Sequence, residues 1–83
     1  MKLGVYSLQR VLFEGEARSV TCNTRSGEIT ILDDHEPIIS LLAAGTIMIT
    51  DDEQKKSYIP VTSGFLEMDK GNTVKILVEE GTK

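Results

Sequence analysis

The chain reads as an all-β protein: a two-sheet β-sandwich, or flattened barrel, of about eight to ten short strands. Three observations predict this. Apolar and polar residues alternate with period two along most of the 83 residues. Turn-forming clusters recur at roughly eight- to twelve-residue intervals. No window of about ten residues or more carries the 3.6-residue period of an amphipathic helix.

Each element follows in order. Residues 2–7 form a first strand, and 10–14 a second that ends at Gly15 between two glutamates. Residues 17–23 form a third, with Val20 and Cys22 on one face and Ser19 and Thr21 on the other. Thr24, Arg25, Ser26 and Gly27 are turn-forming by composition. Residues 28–32 are a short strand. Residues 35–40 are extended, because Pro37 fixes its own φ and pushes Glu36 away from helix. Residues 41–44 read as a brief helical turn ended by Gly45. Residues 46–50 alternate again, and 51–54 are an acidic, solvated hairpin tip followed by Lys55 and Lys56. Residues 55–61 form the return strand, with Pro60 marking an edge or a bulge. Ser63 and Gly64 break the run, 65–69 resume it, 70–72 turn, and 73–79 close the set. The whole, residues 1–83, is expected to be a single domain.

Composition bounds the function. Hydrophobic content of 40% suits a packed core. A net charge of −4, spread along the chain, lacks the basic stripe that nucleic acid or an anionic lipid surface requires. No apolar run reaches the roughly 18 residues of a membrane-spanning helix. The single cysteine, Cys22, shares a face with Val20 and is expected to be a buried structural thiol. No cofactor is expected. There is no phosphate-cradling glycine loop of either common kind. His35, the only histidine, has carboxylates for neighbours and no nucleophile. Asp33, Asp34 and Glu36 lack the ordered spacing of a calcium loop, so no metal is expected.

The most distinctive stretch is GEITILDDHEPIISLLAAG at residues 27–45. It opens with Gly27 and Glu28 and returns to glycine at Gly45. Asp33, Asp34, His35 and Glu36 form a polar knot stiffened by Pro37, beside an apolar run. A rigid polar loop on a β scaffold is either a solvated turn or a contact site. Several strands are also apolar on both faces. Met48 opposes Ile47 and Ile49, Leu77 opposes Ile76 and Val78, and Leu66 and Met68 oppose Phe65. A sandwich buries only one face of each sheet, so these extra positions suggest a surface covered by another protein. The alternative is a tightly closed barrel, or stray exposed side chains, which are common on their own.

Three blocks together resemble the N-terminal β-sandwich of the epsilon subunit of F-type ATP synthases. VLFEGEARSV at residues 11–20 is similar to the family's opening F-x-G-E-x-x-x-V. The 27–45 stretch matches G-E-x-G-[IV]-L-P-x-H-x-P at Gly27, Glu28, Ile31, Leu32, His35 and Pro37, and again at the glycine that closes the apolar run, Gly45. SGFLEM at 63–68, followed by Asn72, Val74, Ile76 and Leu77, is similar to SGGFxEV…NxVTVLA. The chain departs from the pattern at Thr30, where glycine is usual. It also departs at Asp33 and Asp34, often Pro-Gly, and at Leu8, often proline. Its turn before His35 is correspondingly more acidic.

The resemblance implies a non-catalytic rotor subunit at the foot of the central stalk, which binds the gamma subunit and the polar loops of the c-ring. By position, Glu28 would face the ring loops, and Asp33, Asp34, His35 and Glu36 would lie near gamma and the ring. The location implied is peripheral, at the cytoplasmic face of a bacterial inner membrane. Members of the family continue into a two-helix C-terminal hairpin, on which inhibition of hydrolysis and nucleotide binding depend. The sequence as given stops at Lys83. The expectation is therefore a chain that supports assembly and coupling without acting as a brake or binding nucleotide. The alternative reading is an orphan epsilon-like sandwich serving as an interaction module outside the ATP synthase. Neighbouring genes for beta and gamma subunits would separate the two.

Overall fold

The computed structural model describes residues 1–81. Eight strands account for its regular structure: β1 Lys2–Tyr6, β2 Val11–Glu16, β3 Ser19–Thr24, β4 Gly27–Leu32, β5 Ile38–Leu42, β6 Gly45–Thr50, β7 Lys56–Met68 and β8 Thr73–Glu80. They form one hydrogen-bonded path in the order β2-β1-β8-β7-β6-β3-β4, with β5 paired to β7 as well. Neighbours are antiparallel except β1 and β8, which run parallel from Lys2 opposite Thr73 to Tyr6 opposite Leu77.

The path folds over on β7. Residues Lys56 to Val61 of β7 pair with β6, and Gly64 to Met68 pair with β5. Between them the register against β8 slips from Val61 to Ser63. Such an irregularity bends and twists a strand, and here it carries β7 from one layer into the other. The extra residue is Thr62, so a bulge lies inside one long strand just before Ser63 and Gly64, where the sequence suggests a break. Pro60 sits just before it with its side chain exposed, and its carbonyl accepts a bond from the Gly81 amide at 2.8 Å.

One buried cluster lies between the layers. Leu3, Val5, Leu66, Met68, Val74 and Ile76 come from β1, β7 and β8, and Val20, Cys22, Ile31, Ile47 and Ile49 from β3, β4 and β6. Leu12, Phe13, Ile29 and Ile38 pack against it from its margins.

Two further readings need correction. Residues 41–44 do not form a helical turn. Leu41 and Leu42 belong to β5, opposite Phe65 and Gly64. An isolated turn gains little for its nucleation cost, whereas the ladder to β7 satisfies the backbone and buries Leu42. The apolar positions beyond one face also sort differently. Leu66 and Met68 are 0% and 2% exposed and lie in the core, whereas Leu77 is 57% exposed. Met48 is half-buried. The bulge explains the sorting. Buried residues before it are odd-numbered (Ile59, Val61) and those after it even-numbered (Leu66, Met68), because one extra residue inverts the alternation.

Leu66→Ala is expected to cost about 2–5 kcal/mol, a large share of a small domain's stability. Leu77→Ala should stay within about 0.5 kcal/mol in the isolated chain. Paired urea melts measure both, and equal losses would refute the assigned faces. Cys22 is 1% exposed, and burial pushes its thiol pKa up to about 12. It should resist maleimide at neutral pH in the native state and react once urea unfolds the chain.

Candidate functional site

β4 joins the glycine turn that opens the 27–45 stretch to the polar turn at 33–36. It begins at a hairpin turn in which Thr24 faces Gly27. The Thr24 hydroxyl donates to the Gly27 carbonyl at 2.8 Å and accepts from the Ser26 amide at 3.1 Å. Gly27 has φ of 120°, which side-chain-bearing residues rarely adopt. Gly45 has φ of 155°, and a Cβ there would run into the Asn23 side-chain amide. The Ala43 amide donates to the Asn23 carbonyl at 2.8 Å. The turns holding Gly27 and Gly45 therefore lie side by side, and Glu28 is exposed next to them, opposite Asn23. Among the described residues, no ion pair engages its carboxylate.

At the far end of β4, the His35 amide donates to the Leu32 carbonyl at 3.0 Å and closes a tight turn. Asp34 sits inside that turn with φ of 63°, a left-handed conformation that aspartate tolerates. The His35 ring nitrogen Nδ1 lies 2.7 Å from the Glu36 carbonyl oxygen. Asp33, Asp34 and Glu36 are exposed and His35 is half-buried. The five residues singled out from sequence thus divide. Asp33, Asp34, His35 and Glu36 come together in one turn. Glu28 stands at the opposite end of β4, about 16 Å away at the rise of an extended strand.

Asp33 is the best-connected of the five. Its Oδ1 accepts from the Met1 ammonium at 2.5 Å and from Asn72 Nδ2 at 2.9 Å. The Asn72 Oδ1 in turn accepts from the Asp34 amide at 2.8 Å. The ammonium also donates to the Ala17 carbonyl at 3.1 Å and lies 3.7 Å from Glu16 Oε1. Its bond to Asp33 raises the amine's pKa above the ordinary value, against the opposing effect of burial. The same bond, helped by Asn72, lowers the Asp33 carboxyl. Sequence reading missed Met1 and Asn72 as supports of this turn. The sequence signals for Asn72 were its match to the asparagine of the resemblance pattern and its place after glycine in a turn, a pairing that favours left-handed backbone.

The outer face of β5, β7 and β8 carries a row of uncovered apolar side chains. Leu41 faces Phe65 across one ladder and Phe65 faces Leu77 across the next. Leu41 is 68% exposed, Phe65 38%, and Ile39, two residues before Leu41 on the same face, 67%. Among the described residues, no three His, Cys, Asp or Glu side chains converge as metal ligands would.

The depressed Asp33 carboxyl stabilises the fold above the ordinary carboxylate pKa of 3.8, and that contribution is lost as pH falls through the lower folded value. The raised Met1 amine stabilises it below 8.0, and that contribution is lost as pH rises through the higher folded value. The pair is therefore intact between these limits. In melting temperature against pH, Asp33→Asn should flatten both the acid and the alkaline limbs. Unchanged limbs would mean that the pair contributes nothing in solution.

Comparison with known proteins adds the following. The family model described as "ATP synthase, Delta/Epsilon chain, beta-sandwich domain" matches residues 1–83. The ATP synthase epsilon chain of Leptospira borgpetersenii serovar Hardjo-bovis is 35% identical over 81 residues, which covers 98% of this chain and 62% of that protein. That of Rubrobacter xylanophilus is 38% identical over 72 residues, covering 87% and 48%. The chain thus spans about half to three-fifths of the length of these relatives. A chain in the cryo-EM structure of the Euglena gracilis mitochondrial ATP synthase superposes with a TM-score of 0.88 at 23% identity, over 96% of this chain and 51% of that one. One in the central stalk/c-ring structure from Tetrahymena thermophila gives 0.82 at 15% identity, over 96% and 63%. At such identities the likeness establishes the β-sandwich fold.

Proposed function

The chain belongs to the family of the ATP synthase delta/epsilon-chain β-sandwich domain, and from that premise we propose that it is a non-catalytic central-stalk subunit of an F-type ATP synthase. It binds the gamma subunit and the polar loops of the c-ring, turns with both, and couples proton-driven rotation to ATP synthesis. It rides peripherally on the cytoplasmic face of a bacterial inner membrane.

The observation that carries this reading is the separation of two polar ends by a stiff body with an uncovered apolar row on its flank. A subunit that transmits torque needs contacts that do not overlap. The Glu28 end suits the ring, because an exposed carboxylate forms charge-assisted hydrogen bonds with basic and polar loops. The row of Leu41, Phe65 and Leu77 suits a lasting partner, since exposed apolar residues opposite one another on neighbouring strands make a contiguous patch of the kind that marks protein interfaces. The gamma subunit covers that row and reaches the 33–36 turn.

The matching gamma subunit should co-purify with this chain. Glu28→Lys should weaken proton-driven ATP synthesis in reconstituted vesicles while shifting the stability of the isolated chain by less than about 0.5 kcal/mol. If Glu28→Lys unfolds the chain, Glu28 is structural and its assignment to the ring fails.

A further inference from the structure

We propose that Asn72 is a positioning residue that sets the 33–36 turn for binding, so that the β7–β8 connection controls a contact surface 38 residues away in sequence. The inference rests on the reading of that turn as a gamma contact.

The two turns are unequal. The β7–β8 turn is built from its own residues. Asp69 Oδ1 accepts from the amides of Gly71 at 2.8 Å and Thr73 at 3.2 Å, and the Asp69 amide donates to the Thr73 carbonyl at 3.0 Å. The Asn72 carbonyl is also anchored, accepting from the Lys2 amide at 3.1 Å. Asn72 is therefore held from both sides before its side chain touches anything else. The 33–36 turn has one backbone closure of its own, from the His35 amide to the Leu32 carbonyl. The Asn72 amide group adds two bonds to it, donating to Asp33, whose Oδ1 also accepts from the Met1 ammonium, and accepting from the Asp34 amide.

The backbone makes this two-point grip available. Asn72 and Asp34 have φ of 62° and 63°. Asparagine is among the few residues that take this conformation readily while also offering a donor and an acceptor. At Asp34 the left-handed backbone goes with an amide bonded outward, to Asn72. The grip holds the Asp33 carboxylate toward Met1 while the Asp34 and Glu36 side chains stay exposed. Partner recognition then meets a preset turn and avoids the cost of ordering a loop.

Two substitutions separate the grip from the turn that carries it. Asn72→Gly keeps the left-handed backbone at no steric cost and deletes both bonds. Asn72→Asp keeps an acceptor for the Asp34 amide but sets a second carboxylate against Asp33. Amide hydrogen exchange on the isolated chain and calorimetric titration with the matching gamma subunit are the readouts. For Asn72→Gly the Asp34 amide should lose protection while Gly71 and Thr73 keep theirs, and affinity for gamma should fall roughly tenfold. Asn72→Asp should restore protection at Asp34 and recover affinity only in part. Wild-type affinity in Asn72→Gly with Asp34 exposed, or unchanged protection at Asp34, would overturn the inference. If Asn72→Gly does not fold, wild-type affinity in Asn72→Asp would overturn it alone. Failure of the wild-type chain to bind gamma is a different result: it removes the proposed function first, and this inference with it.

Discussion

Everything in this fold depends on the double allegiance of β7. Its first half pairs with β6 and its second with β5 and β8, and the slip between Val61 and Ser63 lets one strand belong to two layers. Without that bend, each layer would present an apolar face to water. With it, the faces of Leu66 and Ile76 on one side and Ile47 and Ile49 on the other meet in a single buried cluster. Burial of that kind, at about 25 cal/mol per Å² of apolar surface, is the main force a small domain has against the entropy of its chain. The core of this molecule is thus a consequence of where a strand is allowed to bend.

The strands were largely legible in the sequence because period-two alternation reports a half-buried ribbon directly. What alternation cannot report is its own sign after an interruption. Ile59 and Val61 face inward, and a reader who carries that parity forward places Phe65 inside and Leu66 outside. The bulge inverts it. Ser63 and Gly64 did mark the place, but as a stop, since the residue types that favour a bulge also favour a turn. The 41–44 segment failed for a related reason: its local preference is weak, and pairing with β7 overrides it.

The candidate site was legible in membership more than in geometry. Glu28 and the 33–36 group lie within one short stretch of sequence, yet a strand is a spacer. Six extended residues carry one to each end of the body. What holds the acidic turn was less visible still. Asp33 and Asn72 are 39 residues apart, and their contact depends on β4 and β7 ending at the same edge of the sandwich.

The parallel pairing of β1 with β8 has a consequence for how the protein is made. Residues opposite each other in that ladder are 71 positions apart, as Lys2 and Thr73 show. During synthesis the β1–β2 hairpin emerges early, with one edge of β1 bare, and it keeps that edge until β8 exists to fill it. An unpaired edge is a template for pairing with any passing chain. Loop closure on this scale is also slow beside the forming of local hairpins. Protection of that edge during translation, by a chaperone or by early docking on an assembly partner, would therefore bear on the yield of folded protein as directly as the stability of the finished core.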